Sequence, residues 1–203
     1  LAFSHQSEDA ITIDLARKAG LDVTVFTLET HKLFDESQRY QEQIEAFYGI
    51  DITSFSAHQE EIIALEEKLG EYGIFDDVNL RKECCRVRKL VPLAKALKGY
   101  DGWISGIRSA QSITRSDTKL VEFDENFKLL KFNPIANFSD EDVERYMQEN
   151  TIPKNVLYAK GFKSIGCKPC TRAVKEGEDI RAGRWWWENP EHKECGLHLH
   201  KEN

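Results

Sequence analysis

The stretch "DVTVFTL" at residues 22–28 decides the fold: Val23, Thr24, Val25 and Thr27, set among Phe26 and Leu28, read as a buried strand because β-branched and aromatic side chains suit a pleated surface. Upstream, "LAF" at 1–3 reads as the end of another strand, and the residues after "SHQS" read as a helix. Glu8 and Asp9 suit the positive start of that helix, Ile11 and Leu15 share one face, and Gly20 stops it. Downstream, the spacing predicts a helix over 35–48 with Tyr40, Ile44, Phe47 and Tyr48 on one side and Gly49 as its stop. "IDITSFS" at 50–56 reads as a third strand and "QEEIIALEEKLGEYG" at 59–73 as a charged helix. Strands and helices alternate, so the economical architecture is a parallel sheet with helices on both faces.

Beyond this unit, 81–98 reads as a helix carrying Cys84 and Cys85, with Pro92 breaking or kinking it into two pieces. "DGWISGI" at 101–107 reads as a fourth parallel strand, and "LVEF" and "KLLKFNP" as an antiparallel hairpin turning at "DENF". Ser139, followed by three acidic residues, caps a helix holding Val143, Tyr146 and Met147. Regular periodicity fades after Pro153. The expected layout is an α/β domain over 1–150 and a mostly irregular segment over 151–203 packed on it.

The chain has 203 residues, 40% apolar and 31% charged, the balance of a globular domain. No apolar run approaches the roughly 20 residues a membrane crossing needs, and "LAFSHQSEDA" has neither the basic region nor the cleavage site of a signal peptide, so a cytoplasmic location is expected. A formal net charge of −7 argues against nucleic acid as a partner.

Five cysteines, an odd number, point to metal ligation or thiol chemistry rather than a disulfide framework. Cys167 and Cys170 form a C-x-x-C pair, a spacing that by itself most often holds structural zinc. Cys84 and Cys85 are adjacent; alone they read as partly buried helix residues. Taken together, four thiols around an irregular segment favour a four-thiolate site. Adjacent side chains diverge, which suits a multi-iron cluster better than one small ion, and zinc is the competing occupant. Cys195 stands in "HKECGLH" beside His192, Lys193 and His198, with Arg181 and Arg184 upstream. Cations favour its thiolate and make it a candidate nucleophile; an unreactive exposed thiol is the alternative.

Two loops would meet at the carboxyl edge of the sheet. "SHQSED" lies at a helix N-terminus, where backbone N–H groups can hold an anion, or it is a capped turn with no ligand. "GIRSAQSITRS" at 106–116 brings Arg108 and Arg115 near the same edge, for a phosphate or simply for solvent. Trp185, Trp186 and Trp187 are too many for exposed chain, so some should pack on the domain or stack on a ligand.

The motifs "ECCRVRK", "SIGCKPCTR", "GRWWWE" and "KECGLH", in that order, resemble those of the assimilatory adenylylsulfate (APS) reductases within the wider APS/PAPS reductase family. The resemblance implies a Rossmann-like domain of the adenine-nucleotide alpha hydrolase type. It implies a [4Fe-4S] cluster on Cys84, Cys85, Cys167 and Cys170, and attack by Cys195 on the sulfur of APS to give S-sulfocysteine and AMP. Thioredoxin or glutaredoxin would then release sulfite. By the same resemblance Lys89 lies between cluster and substrate sulfate, and Arg181, Arg184 and His198 surround the phosphosulfate. Arg115 contacts substrate, Ser4, Leu28 and Gly106 line the nucleotide pocket, and Arg108 is a further substrate contact. "SHQSED" lacks a glycine common in relatives, "LETH" stands where "LDTG" is frequent, and "GIRSAQS" replaces a more basic "GQRRDQS". The rival readings are a reductase using PAPS or both nucleotides, and a zinc-stapled binding module without catalysis. A homo-oligomer is compatible with each.

Overall fold

The computed structural model describes residues 1–189. Helix α1 (Ser7–Lys18) precedes strand β1 (Val25–Leu28), α2 (Asp35–Tyr48), β2 (Ile52–Phe55) and α3 (Gln59–Leu69). Short α4 (Gly73–Asp76) leads to α5 (Val78–Cys85), a π-helical turn (Arg86–Leu90) and α6 (Val91–Ala96). Then come β3 (Gly102–Ile104), β4 (Val121–Asp124), β5 (Leu129–Phe132) and α7 (Asp140–Glu149).

β1 and β2 pair in parallel, Val25 against Ile52 and Leu28 against Phe55. β3 pairs in parallel with β5, which pairs antiparallel with β4. Residues 1–3 join the two groups: Phe26 N–H donates to Leu1 C=O (2.9 Å), Phe3 N–H to Phe26 C=O (2.8 Å) and Ala2 N–H to Ile104 C=O (3.0 Å). The order across the sheet is therefore β2, β1, residues 1–3, β3, β5, β4. The chain winds outward from residues 1–3 through β1 to β2 and returns to the other side of residues 1–3 at β3. Loops leaving these two neighbours diverge, which opens a crevice at the carboxyl ends of the strands.

The two faces have separate cores. Ile11, Ile13, Tyr40, Ile44, Ile135 and Met147 of α1, α2, α7 and their neighbours pack on one side. Leu93, Ala96 and Leu97 pack with Phe26 and Trp103 on the other. α2 has the expected bounds and ends where Gly49 takes a left-handed φ of 63°. Phe47 departs from its expected place in the core: it is 45% exposed and meets only the rim, its ring edge-on to Tyr48.

The helix expected over 81–98 starts earlier, at Val78, where the Asp77 carboxylate accepts from Asn79 N–H (2.6 Å) and caps it. Its interruption is a widened turn placed ahead of Pro92. An α-helical Pro92 would clash with the carbonyl four residues back. The chain instead inserts one residue into the turn, and Val91 N–H donates to Arg86 C=O, five residues back. The hairpin is as expected, but β5 lies between β4 and β3.

Residues 151–189 form only 3₁₀ turns at Tyr158–Lys160 and Lys168–Cys170, and they are held by specific bonds. Buried Asn155 donates to His5 C=O (3.3 Å), and Ser7 N–H donates to the Tyr158 hydroxyl (3.1 Å). Lys168 N–H donates to Lys32 C=O (2.7 Å), and Trp185 N–H to Cys170 C=O (3.1 Å). Thr171 bridges antiparallel to Arg184, which requires Gly183: a Cβ there would sit 2.2 Å from Arg172 C=O.

Candidate active site

The crevice beside residues 1–3 holds a cavity of about 130 Å³. Ser4, His5 and Gln6 line it from one loop and Ser105, Gly106 and Ile107 from the other, with Thr27 and Leu28 at the end of β1. Asp9 organises the first loop, accepting from Ser4 N–H and Ser4 hydroxyl, both at 2.7 Å. Burial raises Asp9 from 3.8 to about 7, and burial lowers His5 from 6.5 to about 4, so His5 is neutral near neutral pH. Gly106 passes directly over α1, where a Cβ would lie 2.7 Å from Asp9 Oδ1.

The two shifts oppose one another in stability. Between about pH 4 and 7 the folded chain keeps a proton on Asp9 that the unfolded chain has lost, so stability falls as pH rises. Between about pH 4 and 6.5 the unfolded chain protonates His5 and the folded chain does not, so stability rises with pH. In Asp9→Asn only the His5 slope remains of the pair. Melting temperature relative to the parent chain should then climb with pH across this window; parallel curves would refute the Asp9 assignment.

A second cavity, about 380 Å³, adjoins the first. Cys84, Cys85, Cys167 and Cys170 all line it, brought from α5 and from the 3₁₀ turn of "GCKPC". These four are free thiols, and burial raises Cys84 and pushes Cys170 up to about 12. Among the described residues no three His, Cys, Asp or Glu side chains converge closely enough for one metal ion. The four thiols thus share one cavity.

Lys89, Cys167, Arg184 and Trp185 line both cavities and form their common wall. Trp185 is 1% exposed and has a left-handed φ of 40°. Arg184, Arg81 and Arg181 lie 4.6, 4.8 and 5.9 Å from its ring. Arg81 is fully buried and donates to Glu188 twice, at 2.8 and 2.6 Å. Arg184 reaches Ile165 C=O (3.1 Å) across Gly166, whose Cβ would meet the guanidinium at 2.3 Å. Arg88 donates to Thr30 C=O and to Glu66, both at 2.7 Å. Buried donors without a hydrogen-bond partner concentrate here: Arg88 Nε, Arg184 Nε and Trp185 Nε1. Unsatisfied buried N–H groups beside a cavity suit an anionic occupant.

Seven expected site residues therefore meet at one cavity: Ser4, Leu28, Lys89, Gly106, Arg115, Arg181 and Arg184. The four paired cysteines meet at the other. Arg108 does not line either. Its guanidinium is buried against Glu8 (2.9 Å), Asp140 (2.7 Å) and Phe138 C=O (3.0 Å), where it ties α1 to α7. Glu8, expected to suit the positive start of α1, is its buried partner. Cys195 and His198 lie outside the described residues. Of the tryptophans, Trp185 and Trp187 pack inward, the latter 4.5 Å from Phe75, and Trp186 is 48% exposed. Sequence reading passed over Arg81, Arg88 and Glu188. A signal was present: Arg81, Cys84, Cys85 and Arg88 stand at i, i+3, i+4 and i+7, one stripe of a helix.

The fold is of the adenine-nucleotide alpha hydrolase-like α/β type, and in this chain the crevice lies at the switch in strand order. A crystal structure of phosphoadenylyl-sulfate (PAPS) reductase from Candida auris shares the fold, with a TM-score of 0.68 at 22% identity over 85% of this chain and 81% of that one. Residues 1–173 match the phosphoadenosine phosphosulfate reductase domain. The adenosine 5′-phosphosulfate reductase of Agrobacterium fabrum is 47% identical over 95% of this chain and 74% of its own length. That of Allochromatium vinosum is 43% identical, covering 97% and 77%. The chain belongs to the adenosine 5′-phosphosulfate reductase family. No helix among the described residues is long and apolar enough to cross a membrane.

Proposed function

We propose that this chain reduces adenosine 5′-phosphosulfate to sulfite and AMP in sulfate assimilation, in the cytoplasm, with thioredoxin or a similar dithiol protein as reductant. The observation that carries this reading is the wall of Lys89, Arg184 and Trp185 shared by a crevice at the strand switch and a four-cysteine cavity. The nucleotide would occupy the crevice, its phosphosulfate toward Lys89, Arg115, Arg181 and Arg184. Cys195 and His198 would reach it from the C-terminal segment, whose described part, 151–189, packs on the rest of the chain. The relatives' shared name supports adenosine 5′-phosphosulfate as substrate over its 3′-phosphorylated form. Assaying sulfite from both nucleotides tests this; faster turnover of the 3′-phosphorylated one would reverse it.

The Cys195 thiolate would attack the sulfur, forming an S–S bond while the S–O bond breaks and its electron pair leaves on AMP. A reductant thiolate would then attack Cys195 Sγ, expelling sulfite with the S–S pair and forming a mixed disulfide; the reductant's second thiolate would attack its own first sulfur, closing the reductant's disulfide and releasing the Cys195 thiolate. Cations serve both demands, offsetting repulsion between thiolate and sulfonate oxygens and stabilising charge on the leaving phosphate.

Cys84, Cys85, Cys167 and Cys170 would hold a [4Fe-4S] cluster, and the fit is in the donor set: four thiols around one volume, with Arg88, Arg184 and Trp185 N–H donors beside it. When bound, such a cluster supplies a redox-capable, polarisable anionic centre. Cys170→Ser should lose most of its iron and acid-labile sulfide, measured after anaerobic purification. Full iron content in that variant, or zinc in the parent chain, would count against the assignment.

A further inference from the structure

Ser105 lines the crevice from the end of β3 and continues its ladder, the Ser105 N–H donating to Phe132 C=O (2.9 Å). By strand alternation its side chain shares a side with Trp103. Trp103 packs with Phe26, Leu28 and Leu93, and all four line the same crevice, an apolar wall of the kind that accepts a planar base.

What lies behind Ser105 fixes how its hydroxyl is used. The hydroxyl oxygen stands 2.6 Å from Asn133 Oδ1. Asn133 is fully buried, and its Nδ2 donates to Lys119 C=O (2.8 Å) and to Glu122 Oε1 (3.0 Å). Glu122 is in turn paired with buried Lys131 (2.8 Å). A carbonyl and a carboxylate only accept, so the Asn133 amide stands one way round and presents its oxygen to Ser105. The Ser105 proton is therefore committed to Asn133. Toward anything in the crevice the hydroxyl can only accept, and no donor among the described residues fills that role.

We infer that Ser105 accepts a hydrogen bond from the nucleoside half of the substrate, and that Asn133 and Glu122 are positioning residues that make it an acceptor. The inference rests on adenosine 5′-phosphosulfate occupying the crevice. Its phosphosulfate carries no proton near neutral pH, so the donor is the 6-amino group of the base or a ribose hydroxyl. A nucleotide that brings oxygen lone pairs to this point meets lone pairs on Ser105 and binds worse, which makes Ser105 a specificity-determining residue.

Calorimetric titration of the full, anaerobically purified chain with AMP, IMP, 2′-deoxy-AMP and 3′-deoxy-AMP tests this. Ser105→Ala should weaken AMP about tenfold and should not weaken the one analogue that lacks the donor, which thereby names the group. Asn133→Leu frees the hydroxyl to donate, so the preference for AMP over that analogue should shrink toward none, with an unchanged circular dichroism spectrum. A preference that stays at the parent value would remove Asn133 from its role. Ser105→Ala, which removes one oxygen, decides the matter even where Asn133→Leu does not fold. Equal AMP affinity in the parent and Ser105→Ala, or an equal loss for all four nucleotides, would overturn the inference and leave the nucleotide reading standing. A parent chain that does not bind AMP would overturn both.

Discussion

Cys195→Ser should abolish sulfite formation, by about a thousandfold or more, while leaving iron content unchanged. A serine hydroxyl ionises far outside the physiological range and forms no thiosulfonate, so neither attack on sulfur nor release by a dithiol can proceed. The proposed cluster ligands are Cys84, Cys85, Cys167 and Cys170, which line one cavity, so the iron should stay. Mass spectrometry of the parent chain incubated anaerobically with adenosine 5′-phosphosulfate and no reductant should place a sulfonate adduct on Cys195. Turnover by Cys195→Ser near the parent rate, or an adduct on another cysteine, would remove Cys195 from the mechanism.

Glu188→Ala should cost about 3–5 kcal/mol of folding stability, because it leaves the guanidinium of Arg81 buried without its counter-charge. The pair is 0% and 1% exposed, so solvent cannot replace the lost carboxylate. Arg81 also stacks on Trp185 and lines the four-thiol cavity, so iron retention should fall in parallel. Two comparisons separate this from a general loss of surface charge. Glu188→Gln keeps hydrogen-bond capacity and should cost less. Arg86→Ala breaks the exposed pair with Glu83 and should cost no more than about 1 kcal/mol. Urea denaturation of the three variants measures the ranking; equal costs for Glu188→Ala and Arg86→Ala would refute it.

What could be read from the chain alone was whatever rests on near neighbours. α2 and its glycine stop, the β4–β5 turn and the Ser139 cap each depend on residues within a turn or two, and each is found as expected. Ser139 shows why: its hydroxyl accepts from Asp142 N–H (3.1 Å) and Asp142 accepts from Ser139 N–H (2.9 Å), a bond pair closed within three residues. Arg108 is the opposite case. Its partner Glu8 lies a hundred residues away in sequence, and no local pattern distinguishes a guanidinium that will meet substrate from one that will staple two helices. The orientation of the β4–β5 hairpin, which buries Asp124 and Lys131 and exposes Phe123 and Leu130, was hidden for a related reason. Alternation shows which residues share a side of a strand, and only the packed sheet shows which side is inside. The cysteine cavity stood between these extremes: the thiols and their spacing were legible, and buried Arg81 and Arg88 beside them were not.

The π-helical turn at Arg86–Leu90 absorbs one extra residue without turning α5 away from α6. Removing a residue there would restore ordinary α geometry with the two flanks nearly in phase, and would set Pro92 against the carbonyl four residues back. Cys84 and Cys85 would still face Cys167 and Cys170. A chain shortened at Val87 should consequently melt below the parent and yet keep its iron through anaerobic purification.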